Sequence, residues 1–166
     1  MEYANNVWAP YYQEDIKRIE GVQKRATKLI RNVRDLSYEN RLRVLHLPTL
    51  KFRRIRGDVI QVFKILKGFY DSSAMVKFDV NTAPVVHTRG NKLKIFQHHV
   101  HYNLRKYFFS NRVVTTWNSL PDTVIEAETV NSFKNRLDKF WKNQDVMFNW
   151  KTDLAGTGDR SLKLNS

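Results

Sequence analysis

The chain has 166 residues, 29 Lys+Arg against 16 Asp+Glu, a formal net charge of +13 and no Cys. Hydrophobic residues at 42% and aromatics at 13% are enough for a packed core and exclude wholesale disorder, while the absence of Cys excludes disulfides, cysteine nucleophiles, Cys-based zinc sites and iron–sulfur clusters. No apolar run of about 18 residues predicts a transmembrane helix. The start has Glu2, Glu14 and Asp15 ahead of the first base at Lys17 and lacks the pattern of a signal peptide, so a location inside the cell, nuclear or cytoplasmic, is expected.

The first strong element runs from about Glu14 to Val33. Ile16, Ile19, Val22, Ala26, Leu29, Ile30 and Val33 recur every three or four residues, which predicts a helix with one buried stripe. Lys17, Lys24, Lys28 and Arg31 project opposite that stripe, with Arg18 and Arg25 beside them. A short helix follows, with Ser37 as N-cap, Glu39 in its first turn, Leu42 and Leu45 inward, and His46–Leu47–Pro48 as its end. A third helix is expected from Leu50 to Lys67, with Thr49 as N-cap and Gly68 just past its end. Phe52, Ile55, Val59, Val62, Phe63 and Leu66 form its buried stripe. Arg53, Arg54 and Arg56 crowd its first turns, an unfavourable place for cations that points to an anion nearby.

Residues 69–86 read as a linker. Partial alternation from Val85 to Tyr102, with a turn at Arg89–Gly90–Asn91, predicts a weak β-hairpin. Residues 105–120 are helical again, with Val113, Val114, Trp117 and Leu120 inward and Pro121 as the stop. Thr129 caps a last helix whose Phe133, Leu137, Phe140 and Trp141 share a face. Beyond about Lys142 the period fades, and the tail is expected to be disordered.

The positive charge is clustered. Residues 17–67 hold 15 bases and 4 acids, residues 87–112 hold six bases and no acid, and the rest of the chain is acidic or balanced. Clustering of this kind is the footprint of a polyanion-binding surface, with a merely solvated surface as the plain alternative. In the second segment Lys92, Lys94, Arg105, Lys106 and Arg112 are interleaved with Tyr102, Tyr107 and Phe108, which either stack on unpaired bases or pack in the core.

Several stretches resemble the C-terminal part of reverse-transcriptase polyproteins from jockey-like, non-LTR (LINE-type) retrotransposons. They are Glu2–Tyr3 with Trp8, Val22–Gln23–Lys24–Arg25–Ala26–Thr27–Lys28, and Leu36–Ser37–Tyr38–Glu39 with Arg41–Leu42. Then come Leu47–Pro48–Thr49–Leu50, Arg53–Arg54, Arg56–Gly57–Asp58 and Phe63–Lys64–Ile65. Farther on are Phe109–Ser110–Asn111–Arg112–Val113–Val114, Trp117–Asn118–Ser119–Leu120–Pro121 and Phe133–Lys134–Asn135–Arg136–Leu137–Asp138–Lys139. The resemblance implies a thumb followed by a connector, with endonuclease, fingers and palm upstream. Met1 in place of the family's Leu looks like the start of a truncated reading frame.

Polymerase chemistry needs carboxylates that hold two metals about 3.5–4 Å apart. In the family these come from a Tyr-x-Asp-Asp hairpin and another palm aspartate. Tyr12–Gln13–Glu14–Asp15 is the nearest likeness, and its acids are explained by the helix start. His98, His99 and His101 could form a two-His site, but neither Cys nor an adjacent acid completes it. No nucleotide-binding or hydrolase motif appears. No enzyme activity, metal site or cofactor is expected.

The fold expected is mainly α: a thumb-like three-helix bundle over 1–68, a linker over 69–86, a hairpin-plus-helices module over 87–142 and a disordered tail over 143–166. The partners expected are RNA, DNA or an RNA–DNA hybrid, together with the missing palm and fingers, and no membrane. The candidate contacts are Lys17, Lys24, Arg25, Lys28, Arg31, Arg53, Arg54, Arg56, Lys92, Lys94, Arg105, Lys106 and Arg112. Two alternatives stay open: an interaction module that packs on a palm or self-associates, and a decayed pseudogene product.

Overall fold

A computed structural model describes residues 9–71, 76–80, 93–100 and 102–156, with the backbone alone at 103 and 104. The chain is mainly helical. Its elements are α1 (Gln13–Lys28), a 3-10 turn (Arg31–Val33), α2 (Tyr38–Val44), α3 (Leu50–Leu66), α4 (Asn103–Lys106), α5 (Phe109–Asn118), α6 (Asp122–Ile125), α7 (Val130–Phe140) and a second 3-10 turn (Asp145–Met147). Two compact units divide the chain, Met1–Arg56 with Asn143–Ala155, and Gly57–Lys142 with Gly156–Ser166. The first turns of α3 belong to the first unit and its remainder to the second.

Helix ends fall where short polar residues and glycine place them. The side-chain oxygens of Ser37, Thr49 and Thr129 accept from the backbone N–H groups of Asn40, Phe52 and Ser132 at 3.3, 3.1 and 3.1 Å. Gly68, at φ 72°, closes α3 in a Schellman turn in which Phe69 N–H bonds to the Lys64 carbonyl at 3.0 Å. α2 ends in the same way, with Leu47 N–H on the Leu42 carbonyl at 2.9 Å, but a histidine occupies the left-handed position: His46 has φ 51°. Such a residue is strained by about 1 kcal/mol relative to glycine.

The first unit departs from its expected packing. The helix spacing placed Val22, Ala26, Leu29 and Ile30 inward, yet all four are exposed, Leu29 at 85%. Ile16 and Val33 are buried as expected, but the buried face of α1 joins Ile16 to Glu20 and Thr27, so the helix is rotated by about a quarter turn from the apolar stripe, at ~100° per residue. It also stops early, because Ile30 is extended and Arg31–Val33 forms a 3-10 turn.

Hydrogen bonding accounts for the rotation. Glu20 is 2% exposed. Its carboxylate accepts from the Tyr38 hydroxyl on α2 at 2.8 Å and from the Lys51 backbone N–H in the first turn of α3 at 2.8 Å. Gln23 donates to the Pro48 carbonyl at 3.1 Å. The buried Arg41 donates to the Thr27 hydroxyl at 3.2 Å, to the Leu36 carbonyl at 2.8 Å and to the Lys24 carbonyl at 3.3 Å, placing a cation at the C-terminal end of α1, where the helix dipole favours it. A polar seam therefore joins the three helices.

The segment Asn143–Ala155 belongs to this unit. Thr49 donates its hydroxyl to the Val146 carbonyl at 2.6 Å and its N–H to the Met147 carbonyl at 2.8 Å. Lys51 Nζ reaches the Thr152 carbonyl at 2.7 Å and the Asp153 carboxylate at 2.6 Å. Val146 and Leu154 are buried. The disorder expected over 143–166 is thus replaced by packed structure over 143–155, held by backbone and capping contacts that carry no periodic signal; residues 157–166 lie outside the described residues.

In the second unit Phe63 of α3 stacks on Phe133 of α7 at 4.1 Å, and Trp117 of α5 lies 6.1 Å from the same ring. Val113, Val114, Leu120, Leu137 and Trp141 complete the core as expected, while Phe140 stays exposed. The expected hairpin is not seen. Its first strand and its turn at Arg89–Gly90–Asn91 lie outside the described residues, and among the described residues Ile95 makes a single antiparallel bridge, to Val80. Both backbone groups of Ile95 are taken by the Asn118 amide at 2.9 Å, and Trp117 Nε1 donates to the Leu93 carbonyl at 2.7 Å. The Trp117–Asn118 pair therefore fastens residues 93–95 to the end of α5.

Replacing Glu20 with Ala removes two hydrogen bonds to a charged acceptor. We expect a loss of about 3 kcal/mol in urea denaturation, with Glu20→Gln intermediate. The Tyr38 phenol is pushed above its ordinary value of 10.0, first by burial and then by its hydrogen bond to Glu20. Its contribution to stability is therefore intact below about pH 10 and falls above it, by up to ~1.4 kcal/mol per pH unit, as the unfolded chain ionises first. Chemical denaturation at stepped alkaline pH should show that slope in the wild type and its loss in Tyr38→Phe.

Candidate nucleic-acid interface

In the first unit α1 carries the expected cations. Lys17, Lys24, Arg25 and Lys28 are exposed on the helix, and Arg31 is exposed on the 3-10 turn beyond it. Lys17, Lys24 and Lys28 share one row about 16 Å long at 1.5 Å per residue, and Arg18 and Arg25 form a second row beside it. Because α1 is rotated, the lysine row flanks the packed face at ~100° per residue, while Arg18 and Arg25 lie opposite that face. The exposed Val22, Ala26 and Leu29 lie on the other flank. Lys17 and Arg18 meet Glu14 and Asp15 at 3.8 Å each, exposed pairs of little strength that leave the heads available to another anion.

Arg53, Arg54 and Arg56 are half-buried and engaged with neighbours. The anion implied by their position is supplied in part by the protein itself: the Glu20 carboxylate on the Lys51 N–H puts a fixed negative group on the same helix start.

The second unit brings forward Arg105 and Lys106, exposed on α4, with Lys106 Nζ 5.9 Å from the Tyr107 ring centre. Tyr102 and Phe108 beside them are exposed at 79% and 53%, so these two aromatics are not core. Lys94 is half-buried and engaged, and Lys92 lies outside the described residues. Arg112 is turned inward. Its guanidinium binds the Asp58 carboxylate in a two-point pair at 2.9 and 3.1 Å, donates to the Tyr107 carbonyl at 3.2 Å and lies against the Phe109 ring. A fork held in this way is a packing element, and the candidate interface does without it.

His98 pairs with Asp79 at 2.8 Å on the surface, and His101 lies outside the described residues. Among the described residues no group of three His, Asp or Glu side chains is placed to hold a metal, and no helix is long and apolar enough to cross a membrane. Glu14 and Asp15 sit in the first turn of α1, at the positive end of its dipole.

Sequence reasoning missed Trp150 and Lys151, which border the basic rows of α1 in the first unit. The only signal was the pairing of an aromatic with a base in a stretch without periodicity. Comparison of the chain with protein-family models, with curated proteins and with solved structures finds no match.

Arg112→Met removes the two-point pair on the nearly buried Asp58 carboxylate. It should cost about 3 kcal/mol in thermal or urea unfolding, as breaking a buried pair does, with no change in the salt dependence of any nucleic-acid binding.

Proposed function

We propose that this chain is a non-catalytic, nucleic-acid-binding piece of a non-LTR retrotransposon reverse transcriptase, corresponding to the thumb and the region after it. The observation that carries the reading is the set of exposed cations on α1, the row Lys17, Lys24 and Lys28 with Arg25 beside it, continued by Arg31. The ordered set of motifs in the sequence adds the family. A rigid helix with cations on one flank follows a phosphate backbone by charge and shape, without reading bases. Arg53, Arg54 and Arg56, and on the second unit Lys94, Arg105 and Lys106, supply further positive charge. The carboxylates of polymerase chemistry belong to the family's palm, and this chain grips rather than reacts.

A second reading is favoured by a different observation. Leu29, Val44, Ile30, Leu36, Val22 and Leu47 are all exposed in the first unit, between 85% and 37%. Apolar surface of this kind marks a packing partner such as a palm domain or a second copy. Sizing with multi-angle scattering separates the two: a monodisperse monomer argues against self-association.

The functional test is fluorescence anisotropy with an RNA–DNA hybrid and with duplex DNA. The triple charge reversal Lys24→Glu/Lys28→Glu/Arg31→Glu should weaken binding at least a hundredfold at low salt and flatten its salt dependence. Affinity unchanged by the reversal would contradict the reading.

A further inference from the structure

The basic flank of α1 opens onto a groove of about 480 Å³ within the first unit, inside the range of roughly 300–1,000 Å³ typical of small-ligand sites. Gly21, Tyr38 and Trp150 are among the residues that line it. Lys17, Lys24, Arg25 and Lys151 also border it.

Gly21 stands in the interior of α1, where glycine is the least favourable residue after proline. A Cβ added there would meet nothing within 4 Å. Packing therefore does not demand the glycine, and what it leaves open is the groove. Of the two lining carboxylates, Glu20 is committed to Tyr38 and Lys51, and Glu14 lies on the rim 3.8 Å from Lys17. The balance of the lining is cationic, and the half-buried Trp150 is the indole among its residues.

We infer that this groove takes one unpaired nucleobase of a bound strand, packed against Trp150, while the lysines and arginine at the mouth hold the flanking phosphates. The inference rests on the nucleic-acid reading above and adds a base-receiving subsite to a surface that otherwise meets only backbone. An aromatic wall accepts any base, because every base has a π-face, so the preference is for single-stranded over fully paired nucleic acid and not for a sequence.

The test uses the full chain with three probes: a short oligothymidylate, an abasic strand of the same length, and a blunt duplex. Wild type should bind the oligothymidylate about tenfold more tightly than the abasic strand. Trp150→Ala should erase that ratio. Gly21→Leu, which fills the groove while improving helix propensity, should erase it too, and both variants should keep duplex affinity within about twofold. Equal binding of the two strands by wild type, or a ratio that survives in Gly21→Leu, overturns the inference while duplex binding still stands. Failure to bind any of the three probes at low salt overturns the nucleic-acid reading and this subsite together.

Discussion

Glu20 is a carboxylate carried into the interior of the first unit on two hydrogen bonds, one from the Tyr38 hydroxyl and one from the Lys51 backbone N–H. A buried charge is tolerated only where donors replace its water, and here each donor comes from a different helix. Once the carboxylate is inside, the azimuth of α1 is set. Gln23 and Thr27 follow it inward to the Pro48 carbonyl and to Arg41. The lysines go to one flank, Arg18 and Arg25 to the outer face, and the apolar residues left over to the other flank. The groove beside Gly21, the basic rows and the exposed leucine and valine surface are consequences of that one placement.

Much of the second unit was legible in the sequence, and the reason is physical. Val113, Val114, Trp117, Phe133 and Leu137 are apolar and obey the helix period, and burial of apolar area decides their position. Helix ends at Ser37, Thr49, Thr129 and Gly68 were legible because capping is a local matter. In the first unit the period misled. Ile19, Val22, Ala26 and Leu29 formed the better stripe, but three polar residues found partners that a pattern of apolar positions cannot anticipate. The expected hairpin is not seen among the described residues, where the Asn118 side chain takes the backbone groups of Ile95.

The candidate site divides along the same line. Lys17, Lys24, Arg25, Lys28, Arg105 and Lys106 are exposed, although rotation of α1 moves its lysines from opposite the packed face to its flank. Arg112 is instead turned inward onto Asp58, which is 54 positions away in sequence, and only the folded chain brings the two together. Trp150 and Lys151 were missed because the segment 143–155 is held by Thr49, Lys51 and the closing pair between Gln144 and the Ala155 backbone, none of which leaves a trace in composition or period.

Amide hydrogen exchange at Lys51 addresses the organising role of Glu20 most directly. The Lys51 N–H lies in the first turn of α3 and has no acceptor within the helix, so the Glu20 carboxylate is its protection. The account predicts that this amide exchanges slowly in the wild type and freely in Glu20→Ala, while Phe52, capped by Thr49, stays protected in both. Rapid exchange of Lys51 in the wild type would contradict it, and with it the placement of α1 from which the basic flank and the groove follow.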